Sequence, residues 1–251
     1  MGASGPTGAI FTSASIVFMK IFLIPCPIAE NTSTEVLPPQ ILTALQQTTH
    51  FLVENVRTAR RFISELKLGI QIESLTFEVL DKDTQSKTVT DFYKKHSSVE
   101  YIGVISEAGC PGVADPGALA VSIAQQQNIE VIPLVGPSSI LLGLMGSGFS
   151  GQSFAFIGYL PIDKKERAVA LKRLEQESLR EKRAQLFMET PFRNNQLLAD
   201  ALSFLSPQTK LCIAKNLTAV DELIQTKTIA DWKNHPLDLH KVPTVFILQA
   251  F

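Results

Sequence analysis

Continuous apolar runs alternate with amphipathic stretches along the first half of the chain. The runs at Ile21–Ile24, Tyr101–Ile105 and Glu130–Leu134 are short and show little apolar–polar alternation, a pattern typical of strands buried on both faces of a parallel sheet. Between them, Thr58–Leu66 spaces its apolar residues three and four positions apart, which predicts an amphipathic helix. The pattern predicts an α/β fold whose N-terminal sheet is mostly parallel.

The second half of the chain predicts a sheet of another kind. Strand-like runs recur at Phe154–Tyr159, Gln185–Met188, Lys210–Ala214 and Val245–Leu248, and "LTAVDELIQTKTI" reads as a β-hairpin or meander. A mixed sheet follows from this reading. Because "PLVGPSS" interrupts two apolar segments with Gly-Pro, we expect two α/β domains, at residues 19–135 and 136–251, with a cleft between them.

Composition narrows the class of protein. The 251 residues carry a formal net charge of −1, so no global basic field recruits nucleic acid, although a local patch would still suffice. The three cysteines are widely spaced and odd in number, which predicts neither a disulfide framework nor a metal site and indicates the cytoplasm. Residues 1–18 lack charge and are too short for a membrane span, and we interpret them as an N-terminal extension or an expression leader.

The segment "ISEAGCPGVADPG" at residues 105–117 follows a predicted strand directly. Its glycines allow positive φ and close backbone approach, and its prolines fix the turns. Ligands bind at the carboxyl ends of parallel strands, so this segment predicts a ligand loop rather than an elaborate turn, with Asp115 as a helix cap. The segment "PLVGPSSILLG" likewise lies between a predicted strand and a predicted helix. Ser138 or Ser139 in it either caps that helix or lines the same pocket.

These segments resemble a known family. "VISEAGCPGVADPG", "VIPLVGPSS", "GYLP", "FMETPFRN" and "AKNLTAVDE" follow the order of motifs in the tetrapyrrole methylase superfamily of S-adenosylmethionine-dependent methyltransferases. Within it they are similar to the ribosomal RNA small subunit methyltransferase I branch. The segment "VENVRTARRF" also resembles the A-E-D-T-R segment of that branch. Four residues depart from that branch: Asn55 stands for Asp, Cys110 for Thr, Asn216 for Glu, and Ala29 for the Gly of T-P-I-G-N.

The resemblance implies two α/β domains, usually in a homodimer, with S-adenosylmethionine in the cleft between them. By position, the cofactor contacts are Pro27, Gly109, Cys110, Val113, Ser138, Ser139, Glu189, Leu217, Pro243 and Thr244. Most of these residues have small or apolar side chains, so we expect contact through the backbone.

Methyl transfer to a hydroxyl needs alignment and a base for the proton. Glu54, Glu107 and Glu189 end predicted strands and are candidate bases, although each could instead be a structural acid. The family match adds Arg57 to the catalytic candidates. Arg57, Arg60 and Arg193 are candidate contacts to substrate phosphates, the alternative being a solvated surface.

Three functions are consistent with these residues. The first is methylation of RNA, at a ribose 2′-hydroxyl of ribosomal RNA in the small ribosomal subunit. The second keeps the cofactor but methylates a corrinoid or another tetrapyrrole. The third is a non-catalytic protein that binds S-adenosylmethionine, a hypothesis motivated by Asn55, Cys110 and Asn216.

Overall fold

The first half of the chain forms a five-stranded parallel sheet. A computed structural model describes residues 18–251, and residues 1–17 of the predicted extension lie outside the described residues. The strands run in the order β3-β2-β4-β1-β5, and every neighbouring pair is parallel. Their bounds are β1 Lys20–Leu23, β2 His50–Val53, β3 Thr76–Val79, β4 Tyr101–Ile105 and β5 Glu130–Pro133.

Helices cover both faces of this parallel sheet. They are α1 Ser33–Val36, α2 Pro39–Gln47, α3 Val56–Glu65, α4 Ser86–Lys95 and α5 Gly117–Gln126, with a 3₁₀ turn at Ile72–Ser74. One buried cluster joins the sheet to α2 and α3 through residues such as Leu45 and Phe62. A second cluster joins the opposite face to α4 and α5 through Tyr93 and Ile123. Burial on both faces explains why these strands show little polar alternation.

The second half of the chain forms a mixed five-stranded sheet, ordered β6-β7-β10-β8-β9. Only the β6–β7 pair is parallel, and the other three pairs are antiparallel. The strand bounds are β6 Phe154–Tyr159, β7 Ala184–Met188, β8 Lys210–Lys215, β9 Leu223–Thr228 and β10 Thr244–Gln249. The predicted hairpin or meander spans residues 217–229, but that segment contains one strand, β9, which pairs with β8 outside it.

Four helices and a 3₁₀ turn accompany the mixed sheet. They are α6 Ser139–Ser147, α7 Lys164–Glu181, α8 Asn194–Phe204 and α9 Ile229–Lys233, with the turn at Pro191–Arg193. One face packs against α6 through Leu144, and the other packs against α7, α8 and α9 in a cluster that includes Leu171, Leu197 and Trp232.

A buried ion pair joins α7 to α8. Arg167 is 1% exposed, and its Nε donates to Asp200 Oδ2 at 2.8 Å. Its Nη1 donates to the carbonyl oxygens of Pro161 and Ile162. Although α7 is rich in charged residues, the charge of Arg167 is therefore compensated in the interior by Asp200.

The predicted fold class is confirmed, with a parallel sheet followed by a mixed sheet. Within residues 18–251, no helix combines the length and the apolar composition that a membrane span needs. The division into domains at residue 135 stays a prediction.

Candidate cofactor site

Two neighbouring strands of the parallel sheet, β1 and β4, end in loops that hydrogen-bond to each other. Cys26 N donates to Gly109 O at 2.9 Å, and Gly109 N donates to Cys26 O at 3.1 Å. Gly109 has φ +73°, a left-handed conformation that side-chain-bearing residues adopt at a cost. The predicted ligand loop is therefore fixed by its backbone.

Asp115 holds the same loop together from within. Its Oδ1 accepts hydrogen bonds from Gly112 N at 2.8 Å and Gly117 N at 2.6 Å. The helix begins at Gly117, and its N-cap is Pro116, which makes no side-chain capping hydrogen bond. Asp115 lies one residue before that position and closes the turn that leads into α5, so it is not the predicted helix cap.

The third loop follows β5 and leads into α6. Ser138 is the N-cap of α6, and its Oγ accepts from Leu141 N at 3.5 Å. The Cys110 thiol lies 3.3 Å from Pro137 O. This contact draws the loop after β4 and the loop after β5 together.

A cavity of about 560 Å³ opens where these loops face the mixed sheet. Its volume lies within the range of small-molecule sites, about 300–1,000 Å³. Nine of the ten residues predicted to contact the cofactor line it, namely Gly109, Cys110, Val113, Ser138, Ser139, Glu189, Leu217, Pro243 and Thr244.

The tenth, Pro27, is absent from this lining and instead lines a neighbouring polar groove, as does Glu107. Its neighbour Ala108 lines both cavities, but Glu107 lies on the groove side, and its role as a base stays a prediction. Glu54 does line the cofactor cavity.

None of the three arginines predicted to bind substrate lines the cofactor cavity. Arg57 and Arg60 lie on α3 and are exposed. Arg193 lies in the 3₁₀ turn after β7, where its Nη2 donates to Glu189 Oε1 at 2.6 Å. Arg193 therefore acts on the cavity through Glu189.

The cavity is lined by negative charge. Five carboxylate residues contribute to it, and no Lys, Arg or His is among the described lining residues; the five are Glu30, Glu54, Asp115, Glu189 and Asp221. Acidic walls favour a cationic ligand and disfavour a phosphate-bearing one. The donor set therefore fits S-adenosylmethionine, which carries a positive sulfonium, and does not suit a dinucleotide.

Glu189 is the most buried of these acids, with its side chain 2% exposed. Burial opposes its ionisation, but hydrogen bonds from Arg193 and from the Thr190 N–H outweigh burial and lower its pKa. Its Oε2 is buried and has no hydrogen-bond partner among the described residues. A charged carboxylate with a free oxygen in the cavity wall suits an N–H donor of a ligand.

Glu54 has the opposite electrostatic character. Burial raises its pKa, and the charges of Glu107 and Asp115 add to that effect, although the hydrogen bond that its Oε2 accepts from Glu107 N at 3.0 Å partly offsets them. A carboxylate with a raised pKa is a better proton acceptor near neutral pH. Glu54 thus differs from Glu189, which is held ionised.

Burial, followed by the charge of Asp115, raises the pKa of the Cys110 thiol. Thiolate is the nucleophilic form of cysteine. Cys110 therefore stays protonated in this cavity, and its role is to donate to the neighbouring carbonyl rather than to react.

Sequence reasoning missed several lining residues. Tyr159, Met188 and Ala214 line the cavity from the ends of β6, β7 and β8, and Asp221 contributes from the β8–β9 loop. These residues share a position at or just beyond the end of a strand. The sequence alone does not show which strand ends face the cavity, because that depends on the order of the strands in the mixed sheet.

Comparison with solved structures identifies the fold. The methyltransferase CobJ superposes with a TM-score of 0.62 at 17% identity, covering 92% of this chain and 94% of that one. Diphthine synthase gives a TM-score of 0.64 at 11% identity, with 92% and 90% covered. Uroporphyrin-III C-methyl transferase from Thermus thermophilus, complexed with S-adenosyl homocysteine, gives 0.53 at 12% identity, with 92% and 97% covered. The chain has the fold of the tetrapyrrole methylases.

In sequence, the chain is similar to ribosomal RNA small subunit methyltransferase I. It is 28% identical over 211 residues to that protein from Vibrio cholerae serotype O1, which covers 84% of this chain and 69% of the relative. It is 25% identical over 234 residues to the protein from Escherichia coli O157:H7, with 92% and 78% covered. No family model matches the chain. The resemblance and the enzyme class predicted from the motifs are confirmed by these relatives.

Proposed function

We propose that the protein is an S-adenosylmethionine-dependent methyltransferase that modifies RNA, at a ribose 2′-hydroxyl of ribosomal RNA in the small subunit. The observation that carries this proposal is the acid-lined cavity, which gathers nine of the ten residues assigned to cofactor contact from sequence motifs. Similarity to ribosomal RNA small subunit methyltransferase I supports the choice of acceptor.

The loops after β1, β4 and β5 would hold the cofactor from one side, and residues of the mixed sheet would hold it from the other side. Gly109 and Val113 would contact the cofactor from the ligand loop through their backbone groups. Ser138 and Ser139 would contact it from the start of α6. Glu189 Oε2 is suited to accept from an N–H of the cofactor. When bound, S-adenosylmethionine supplies a methyl group carried on a positively charged sulfur.

Glu54 is the residue best placed to accept the acceptor's hydroxyl proton. It lines the cavity, and its raised pKa makes it a stronger base than an exposed carboxylate. Glu189 is a poor candidate because Arg193 and Thr190 hold it ionised and lower its basicity. Of the three acids considered from sequence, we therefore assign the base to Glu54.

The arginines of α3 support an RNA acceptor. Arg57 is exposed and makes no ion pair among the described residues, and Arg60 has only a 3.8 Å contact to exposed Glu73. Exposed pairs of this kind contribute about 0–1 kcal/mol, so both guanidinium groups are available to phosphates. Arg193 would act instead as the positioning partner of Glu189.

A tetrapyrrole acceptor is the second candidate, because CobJ and uroporphyrin-III C-methyl transferase share the fold. The acidic lining argues against it, since tetrapyrroles of this type carry several carboxylates. We further propose a cytoplasmic homodimer; free cysteines support the compartment, and the exposed Leu141 and Met145 of α6 offer an apolar contact surface.

Two measurements test the function. Calorimetry with S-adenosylhomocysteine tests the cavity, and we expect binding that the variant Glu189→Ala weakens. Incubation with labelled S-adenosylmethionine and separate RNA, protein and small-molecule fractions tests the acceptor, and we expect label in ribosomal RNA. A labelled small molecule other than S-adenosylmethionine would replace RNA with a tetrapyrrole, and label that stays entirely in S-adenosylmethionine would leave a non-catalytic binding protein.

A further inference from the structure

A second, polar groove adjoins the cofactor cavity. It has a volume of about 420 Å³ and lies between the loop after β1 and helix α3. The two cavities share a wall made by Ile28, Ala29, Glu30 and Ala108. This wall flanks the Cys26–Gly109 hydrogen bonds, so its position is fixed by the same pair of strand ends that shapes the cofactor site.

Glu54 and Glu107 connect the two cavities. Glu54 lines the cofactor cavity, Glu107 lines the groove, and Glu107 N donates to Glu54 Oε2 at 3.0 Å. The group assigned as the base therefore lies at the boundary between them. A hydroxyl that reaches from the groove toward the cofactor cavity would meet Glu54 on its way.

The groove presents mainly hydrogen-bond acceptors. Its carboxylates are Glu30, Glu65 and Glu107, and its other polar side chains are Asn31, Ser33, Thr58 and Ser106, against a single cation, Arg61. The Ser106 hydroxyl is buried without a hydrogen-bond partner among the described residues. Such a lining suits a ligand that donates through amino and hydroxyl groups, as a nucleobase with an exocyclic amine and its ribose do, and it repels a polycarboxylate.

Helix α3 supplies the positive charge that an RNA strand needs beside this groove. Arg61 lines the groove, and its only ion pair among the described residues is a 3.9 Å contact to Glu30, with both side chains more than two-thirds exposed. Arg57 and Arg60 are exposed on the same helix. Weak exposed pairs give way readily to phosphates.

We infer that this polar groove receives the base and ribose of the acceptor nucleotide, with the base unstacked and carrying an amino group, while the α3 arginines hold the adjoining phosphates. Single-stranded bases are the usual targets of RNA-modifying proteins because they can be turned out of a stack into such a site. The inference rests on the proposed function and adds to it the place where the acceptor binds.

Filling the groove tests the inference. Thr58→Trp places a bulky side chain in the groove, and Thr43→Trp on α2 is the control, since Thr43 is an exposed helical threonine outside both cavities. We expect Thr58→Trp to raise the KM for unmethylated small ribosomal subunits at least about tenfold. Both variants should keep the wild-type affinity for S-adenosylhomocysteine, because neither threonine lines the cofactor cavity, and that affinity also reports correct folding.

A second pair of variants tests the inference if the tryptophan at position 58 disturbs folding. Arg61→Ala and Arg180→Ala each remove a guanidinium whose side chain is 71% exposed and paired with a glutamate. We expect only Arg61→Ala to raise the KM, by about fivefold. As a readout independent of activity, a short single-stranded RNA containing 6-thioguanosine should cross-link under light to peptides within residues 26–31 or 58–65.

The outcomes separate the inference from the proposed function. If the wild-type protein methylates ribosomal RNA but Thr58→Trp and Arg61→Ala behave like their controls and cross-links fall elsewhere, the groove is not the acceptor site and the proposed function stands. If the wild-type protein transfers no methyl group to RNA, both are overturned.

Discussion

The backbone conformation of Gly109 provides the sharpest test of the cofactor site. Gly109 lies at φ +73° in the ligand loop and exchanges two hydrogen bonds with Cys26. A β-carbon added there would meet Ile28 Cγ2 at 3.5 Å and Pro137 O at 3.7 Å, which are ordinary contacts. Gly109→Ala therefore introduces backbone strain without a steric clash within the protein.

The magnitude follows from the left-handed conformation. An alanine in that region costs about 1–2 kcal/mol relative to glycine. The free variant relieves this strain by relaxing the loop, and binding must then restore the original backbone. Since about 1.4 kcal/mol corresponds to a factor of ten, we expect the Kd for S-adenosylhomocysteine to rise by about 5- to 30-fold.

Calorimetry on Gly109→Ala and Gly69→Ala measures the effect against a matched control. Gly69 has φ +75°, has nothing within 4 Å of its added β-carbon and does not line the cavity. Because the free loop relaxes, Gly109→Ala should lose less free energy of unfolding than Gly69→Ala, and only Gly109→Ala should lose affinity. A Kd within twofold of wild type for Gly109→Ala, together with this smaller loss of stability, would refute the view that this loop binds through its backbone.

Three further predictions concern side chains. Cys110→Ser should change the Kd for S-adenosylhomocysteine, measured by calorimetry, by less than about threefold. The reason is that a hydroxyl can donate to Pro137 O as the thiol does. A larger loss of affinity would mean that the sulfur itself contacts the cofactor. Glu54→Gln should lower kcat by about 10²- to 10⁴-fold, and the wild-type rate should fall as the pH drops through the pKa of Glu54, raised above its ordinary value by burial; an unchanged pH profile in the variant would exclude Glu54 as the base. Asp200→Ala should lower the free energy of unfolding by about 3–5 kcal/mol in urea, because it leaves Arg167 buried without its partner; a loss under about 1 kcal/mol would contradict that reasoning.

Strands with strong apolar runs could be predicted closely from the sequence. Tyr101–Ile105 and Phe154–Tyr159 match the structure at both ends, because both are continuous apolar runs and Gly or Pro follows each of them within a few positions. The short helices α1 and α9 were missed. Ser33–Val36 and Ile229–Lys233 span four and five residues, too few for a helical period to show.

The sequence predicts which loops line the cavity. It predicts less well which residues of a loop face the cavity and which face away from it. Residues of the ligand loop and of the α6 N-terminus line the cavity as expected. Pro27 and Glu107 do not, because the loops that contain them separate two cavities and these residues lie on the groove side. The pairing of Glu189 with Arg193 depends on the 3₁₀ turn between them, a local structure that the sequence did not reveal.

The residues that depart from the methyltransferase motifs bear on the non-catalytic alternative. Asn55 caps α3 as an aspartate would, since its Oδ1 accepts from Arg57 N at 3.0 Å and from Thr58 N at 3.2 Å. Asn216 lies at φ +48°, where asparagine is favoured over glutamate, and its Nδ2 donates to Asp221 Oδ2 at 2.6 Å. Both asparagines therefore serve the local backbone, and neither substitution removes a group that the proposed chemistry needs. Of Asn55, Cys110 and Asn216, only Cys110 places a new chemical group beside the cofactor loop, so Cys110→Thr, which restores the residue of the resembled branch, is the exchange that would reveal a loss of activity specific to this chain.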